Sequence, residues 1–387
     1  ARGSFAPLMW APIANNLVVI VVFSAFLIKW PSVNVDSITS TQIQILGWGT
    51  TAGIIVQALI LIPVVKRSGI KIRPKWGVAG LGKSFSLAGW TLVYVLISQI
   101  GYLITVNVAT TAAVDSAKAG ITTGVGFTPF KNAYLIMLLP YSIVTISIVT
   151  ALLPHMSKLA INKKVEDVKE QLLRAIKTVA VLTIPSSVAF MLFGPLITEV
   201  LFFGIDKNDG IYIGYVLSAL SLGLVAFSIN LVLIRGFNAF EDTRTQVWSI
   251  LIINIISVGL SYLFLAVLPS DWVTVGLGFA FSVSYLIGLF ITLRLLKKHT
   301  GTIHIREFIG QHGRLLSAAL IAMLPIFAIS QYFGWVGSDQ SSLIRAIELL
   351  FVIVAGALGY FFAAKALRIT EVSGITALIL RRNKVEE

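Results

Sequence analysis

Ionisable and amide side chains are scarce inside the apolar runs of this sequence, so each one is a candidate for chemistry. Lys131 and Asn132, with Tyr134 just beyond, stand at the entry of the run that leads to Leu152-Leu153. Gln99 and Asn107 lie inside the preceding run, Asn15-Asn16 and Gln57 inside two earlier ones, and Asn230 and Asn254 inside two later ones. An ion held at membrane depth is costly and therefore marks a functional candidate. Amides at that depth either hydrogen-bond between helices or line a hydrated cavity. Lys131 either snorkels to the interface or serves such a cavity as its cation. No Asp or Glu falls near the middle of any run, and Glu199 and Glu348 lie toward run ends. The cavity set expected from these residues is Asn16, Gln99, Asn107, Lys131, Asn132 and Tyr134.

Signatures of enzymes do not stand out. The four histidines, His155, His299, His304 and His312, have no ligand spacing with a carboxylate, and the chain has no cysteine. Gly-rich phosphate loops and nucleophile elbows are missing. Glu241-Asp242 is the acidic pair of a short loop, flanked by Arg235 and Arg244, and reads as ordering that loop with one of those arginines. No metal and no cofactor is expected.

The elements that must position these residues are membrane spans. The 387 residues are 57% hydrophobic and 12% charged, against about 45–50% and 25% in a soluble domain. Ten runs are long enough to cross a hydrocarbon core of about 30 Å. They are Leu8–Ile28, Ile43–Val65, Leu87–Thr110, Ala133–Leu153, Val179–Phe202, Ile211–Ile234, Val247–Leu268, Val273–Leu293, Leu315–Phe333 and Leu343–Ala364. The alternation of a barrel strand is absent from them. The chain is expected to be an all-α polytopic membrane protein.

Loop charge orients the spans. Of the 30 Lys and Arg, 25 fall on one side, mainly in Lys66–Lys83, Lys158–Lys177 and the stretch after Leu293. The rule that positive loops stay inside makes that side cytoplasmic and puts both ends of the chain there. The net charge of +13 then reflects basic loops rather than nucleic-acid binding. Ile161–Lys177 has apolar Val165, Val168, Leu172 and Ile176 at helical spacing and reads as a helix lying on the membrane surface, or as a partner-binding helix. Val372–Arg382 reads similarly, near anionic lipid. Pro140, Pro185 and Pro195 fall inside spans, where proline bends a helix, so they are the expected hinges. The start, Ala1-Arg2-Gly3-Ser4-Phe5, has no signal-peptide pattern and reads as the middle of a longer protein. An echo between Arg2-Gly3-Ser4-Phe5 and Arg235-Gly236-Phe237, each near an Asn-bearing span, suggests two parallel six-helix lobes.

Several blocks, in order along the chain, resemble the lipid II flippases of the MurJ (MviN) family. They are Arg2–Phe5 with Met9-Trp10-Ala11-Pro12-Ile13-Ala14-Asn15-Asn16, and Ser98-Gln99 with Asn107. Leu139-Pro140-Tyr141 with Thr150–Ser157 follows, and then Arg235–Thr245. The flavour is that of actinobacterial members. The resemblance implies a fourteen-helix, two-lobe fold of the multidrug/oligosaccharidyl-lipid/polysaccharide exporter superfamily. This chain would hold helices five to fourteen. Residues 1–77 would end the N-lobe with two spans and a basic linker. Residues 78–300 would form the C-lobe of six spans, and 301–387 two further helices and a cytoplasmic tail. The implied activity is no enzymatic reaction. It is movement of undecaprenyl-linked lipid II from the inner to the outer leaflet of the bacterial cell membrane by alternating access. Anionic lipids and wall-synthesis proteins are the further partners.

The sequence departs from the family at two places. Where many members carry an arginine and a glutamate before the proline of the eighth helix, this chain has Leu135 and Leu138. Lys131, one turn outward, is the candidate to replace that cation in part. A carboxylate that serves a sodium site in some members corresponds to a region with Asn254 and Val258 here. The alternatives are an exporter of drugs or other polyprenyl-linked saccharides on the same fold, and a non-transporting scaffold for wall synthesis.

Overall fold

The computed structural model describes residues 6–33, 37–67, 81–121, 123–301, 305–338 and 340–369. Among these, nine helices are long and apolar enough to cross a membrane. A tenth crossing is a bent pair, Phe127–Ile143 with Ile146–Ile161, whose halves meet at 48°. The ten expected spans are all helical, and the fold is all-α.

Contacts divide the chain into two units, Ala1–Gly80 and Leu81–Glu387. The first holds α1 (Ala6–Lys29) and α2 (Ser40–Arg67). These two approach closely at glycines: a Cβ on Gly49 would strike Val22, and one on Gly53 would strike the Asn15 amide. In a bilayer, where water does not drive helices together, small residues of this kind let backbones meet.

The second unit holds α3 (Leu81–Lys118), α4 (Phe127–Pro140), a π-turn (Tyr141–Thr145) and α5 (Ile146–Ile161). They are followed by α6 (Val165–Leu201), α7 (Lys207–Ala239), α8 (Thr243–Val267), α9 (Val273–Thr300), α10 (Ile305–Tyr332) and α11 (Ser342–Ala366). The centre is α7, which packs against α6 on one side and α9 on another. Gly214 lies so close to Pro195 and Gly194 of α6 that a Cβ would collide with their backbone. Gly223 meets Ser282 of α9 in the same way, and the Ser282 hydroxyl donates to the Ala219 carbonyl at 2.6 Å. Side-chain oxygens also start the helices: Asp206 caps α7 through the Asn208 N–H, and Asp242 caps α8 through the Thr245 N–H.

One expectation needs correction. The stretch 161–177 is no separate surface helix. From Val165 on it is the start of α6, which runs unbroken for 37 residues. Val168, Leu172 and Ile176 are fully buried against Val149 and Met156 of α5 and Leu233 and Phe237 of α7. The amphipathic pattern is present, but its apolar stripe faces protein. Its outer face carries the surface pairs Lys169–Glu166 and Arg174–Glu170. The basic stretch 68–80, the opening residues 1–5 and the amphipathic tail 372–382 lie outside the described residues.

Candidate functional site

A cavity of about 250 Å³ opens among α3, α4, α8 and α9. Each of three helices gives it residues at helical spacing. Ser98, Gly101, Tyr102 and Thr105 come from α3, and Ile250, Ile253, Asn254 and Ser257 from α8. Phe281, Ser284 and Tyr285 come from α9. Residues three, four and seven apart share one helix face, which is why these side chains converge. The wall from α4 is Phe127, Phe130, Lys131 and Tyr134.

Two of the expected residues therefore reach the cavity, Lys131 and Tyr134. Lys131 is exposed and forms no ion pair among the described residues. Asn132 is half-buried next to it but does not line the cavity, and Gln99 and Asn107 are exposed on α3, off the lining face. Asn16 is exposed on α1, within the other unit. Its neighbour Asn15 presents a buried side-chain oxygen without a hydrogen-bond partner beside Gly53.

Asn254 and Gly101 belong to the site as a pair. The Asn254 amide donates to the Ile250 carbonyl at 2.9 Å, which fixes its orientation. Its oxygen then lies where a Cβ on residue 101 would be. Glycine is required there by space, and the amide oxygen is held at the cavity wall.

A second space of about 30 Å³ adjoins the first through shared residues Ile250, Ile253 and Tyr285. It is lined also by Tyr94, Ser249 and Asn230. The Asn230 side-chain oxygen is buried without a partner. This volume accommodates a water molecule, which needs roughly 10–15 Å³ by the same measure. Next to the lining residue Ile234 on α7, Arg235 is close enough to Tyr94 and Tyr141 to interact with them electrostatically, and its Nε is buried without a hydrogen bond among the described residues.

The prolines differ in setting. Pro140 ends α4, and the π-turn and the 48° bend follow it directly. Pro185 is buried in α6, and the carbonyl it frees one turn back, on Val181, accepts from the Tyr360 hydroxyl of α11 at 2.9 Å. Pro195 lies at the α6–α7 crossing against Gly214.

In the loop between α7 and α8, Asp242 is held by partners other than the two arginines. Asp242 accepts from the Thr245 N–H at 3.0 Å and its hydroxyl at 2.6 Å, and pairs with His299 Nε2 of α9 at 2.7 Å. The Phe240 ring stacks on His299, with centroids 4.9 Å apart. Burial would raise the Asp242 carboxyl, but the hydrogen bonds from Thr245 and His299 outweigh it and hold the group below its ordinary value. Arg244 instead lies over the Trp90 ring of α3, 5.5 Å from its centroid. Glu241 is exposed and adopts a positive φ of 55° at the turn.

A family model described as lipid II flippase MurJ matches residues 1–344. The chain belongs to the MurJ family. A probable lipid II flippase MurJ of Rhizobium meliloti is 26% identical over 325 residues, covering 82% of this chain and 57% of the relative. The lipid II flippase MurJ of Burkholderia cenocepacia is 24% identical over 363 residues, covering 92% and 66%. The chain thus spans under two thirds of the length of either relative. A solved structure titled lipid II flippase MurJ, inward closed conformation, matches with a TM-score of 0.63 at 20% identity, covering 94% of this chain and 68% of that one. At that identity the match concerns the fold. Together with the apolar helices, family membership makes this a multi-span inner-membrane protein.

Proposed function

We propose that this MurJ-family protein moves lipid II from the inner to the outer leaflet by alternating access, with Lys131 meeting the diphosphate of the headgroup. The observation that carries the reading is a lysine with no ion pair among the described residues, beside a cavity of hydroxyls and an amide with no carboxylate among its lining residues. A diphosphate with its sugar-peptide head crosses hydrocarbon only if protein replaces its water. A cation beside such a cavity supplies part of that replacement while the tail stays in lipid. The other groups expected in the cavity belong to this proposal as headgroup contacts, Gln99, Asn107 and Asn132 within the second unit and Asn16, by itself, within the first. So does the division into lobes at residues 1–77, 78–300 and 301–387. The basic segments, including the helical stretch 158–177, lie on the cytoplasmic side with both chain ends in this reading, where they meet anionic lipid. Wall-synthesis proteins are the partners to which flipped substrate passes. The bend at Pro140 is the hinge favoured here, with Pro185 and Pro195 in supporting roles.

A charge-assisted contact to a desolvated phosphate is worth about 1.5–3 kcal/mol, or about 10- to 150-fold in affinity. In a strain that depends on the full-length protein for wall synthesis, Lys131→Arg supports growth. Lys131→Ala lowers outer-leaflet lipid II at unchanged protein level. Normal flipping by Lys131→Ala would reduce Lys131 to an interface residue. Failure of the unaltered protein to replace a depleted flippase would instead favour an exporter of another polyprenyl-linked saccharide.

A further inference from the structure

Phe127, Phe130 and Tyr134 follow one another at i, i+3 and i+7 on the cavity side of α4. Their planes are nearly parallel, 28° apart in the first step and 9° in the second, with centroids 6.4 Å apart each time. That spacing lies in the range of about 4.5–7 Å for offset-stacked rings, so the three rings make a slipped strip along α4 rather than a face-to-face sandwich. Phe281 of α9 stands edge-on to Tyr134, with centroids 5.8 Å apart at 82°. Hydrogen-bonding groups border the strip. The Tyr134 and Tyr285 hydroxyls have no hydrogen-bond partner among the described residues, and the Asn254 oxygen is held at the wall from α8, against Gly101.

Each part of the proposed substrate asks for different walls. A polyprenyl tail needs aliphatic surface and no donors. A diphosphate needs several cations, and this cavity has one. A pyranose ring presents a flat face of C–H bonds and a rim of hydroxyl and amide groups. The C–H face suits the electron-rich face of an aromatic ring, and the rim suits phenol hydroxyls and an amide oxygen. The volume of about 250 Å³ lies just under the roughly 300–1,000 Å³ of sites for drug-sized ligands. It admits a single sugar residue and not the whole sugar-peptide head.

We propose that the cavity is a saccharide subsite, in which the aromatic strip of α4 stacks one sugar ring of the lipid-linked headgroup. The proposal rests on the flippase reading and names the part of the substrate that this site takes. Lys131, between Phe130 and Tyr134 in sequence, then meets the diphosphate to which the sugar is joined.

The test uses the full-length protein in lipid nanodiscs and three undecaprenyl lipids: the bare diphosphate, the diphosphate with its sugars and no peptide, and complete lipid II. Affinity is read by displacement of a fluorescent lipid II. The wild type binds both sugar-bearing lipids about tenfold tighter than the bare diphosphate, the gain expected from one or two aromatic contacts. Tyr134→Leu combined with Phe130→Leu removes that preference and leaves the affinity for bare diphosphate unchanged. Phe130→Trp, which keeps a ring and is the milder change to the fold, retains the preference. Equal loss for all three lipids in the leucine variant overturns the subsite, since the strip then serves the tail or the diphosphate. A preference that survives ring loss, or one that needs the peptide, overturns it too. If the wild type binds none of the three, the flippase reading itself has failed.

Discussion

Arg345→Ala tests whether α11 is fastened to α6 by charge. Glu199, near the end of α6, has its side chain 1% exposed and accepts from Arg345 Nη1 at 2.6 Å and from the Gly337 N–H at 3.2 Å. Arg345, 17% exposed, also donates from Nε and Nη2 to the Gln340 carbonyl. Glu348, buried one turn on, has an oxygen without a partner. Removing Arg345 therefore leaves two buried carboxylates without the guanidinium, and stripping one partner from a buried pair costs about 3–5 kcal/mol. Removing Glu199 is milder. The guanidinium keeps its bonds to Gln340 and some exposure, so the loss is closer to one charged hydrogen bond, about 1.5–3 kcal/mol. The expected stability order is wild type, then Glu199→Ala, then Arg345→Ala. The double variant should lie between the two single variants, because no unpaired Glu199 remains and only Glu348 is left without the guanidinium. Retention of detergent-solubilised full-length protein on size exclusion after heating measures the order. An Arg345→Ala protein as stable as wild type, or more stable than Glu199→Ala, would refute the reasoning.

Two other perturbations follow from the same kind of geometry. Gly101→Ala drives a Cβ into the Asn254 amide. It should destabilise by about 1–3 kcal/mol, and Asn254→Ala should relieve most of that in the double variant; a Gly101→Ala protein that melts with wild type sinks the account. Asp242 titrates below its ordinary value in the fold. Its contribution is then complete above that ordinary value, near pH 3.8, and is lost as pH falls through the lower folded value. Asp242→Asn keeps a capping oxygen and should be less stable than wild type at neutral pH, with the gap closing only below about pH 4. A gap that closes already between pH 5 and 7 would assign the effect to another group.

The spans were legible because crossing a bilayer requires apolarity over about 20 residues, a bulk property that survives any detail of packing. Even the bent crossing was placed, since Pro140 and an apolar run are both local. What a helix face meets is not local. Val168, Leu172 and Ile176 show the same stripe whether they face lipid or α5 and α7, so the stripe alone could not choose. The candidate site divides in the same way. Lys131 stands out in the sequence because cations are rare in the apolar runs, and it lines the cavity. Gln99 was placed on the cavity and is off it, although Ser98 beside it is a lining residue; one step along a helix turns a side chain by about 100°. The i, i+3, i+7 spacing of Phe127, Phe130 and Tyr134 is visible in the sequence, but which way that helix face turns is not. The Gly101–Asn254 contact was not visible, because it depends on which helix lies against α3.

The three prolines show how a shared residue type acquires different roles from its neighbours. Proline removes one backbone hydrogen bond wherever it sits in a helix, and the consequence depends on what takes the freed carbonyl. At Pro185 a tyrosine hydroxyl from α11 takes it, so the helix is joined to its neighbour at the bend. At Pro195 the backbone of α6 lies against Gly214 with no room for a methyl group, so neither helix can shift without the other. At Pro140 the helix changes type and direction, and aromatic rings connect its two sides. Tyr134 above the break touches Phe281, Phe281 touches Phe227, and Phe227 touches Tyr141 below it, with centroids 4.8–5.8 Å apart. Each such contact is worth about 0.5–1.5 kcal/mol beyond its buried area and tolerates several geometries. A change of angle at Pro140 therefore breaks no directed bond among these rings. Two of them, Tyr134 and Phe281, are also walls of the cavity, so whatever occupies the cavity presses on the same aromatic layer that holds the break.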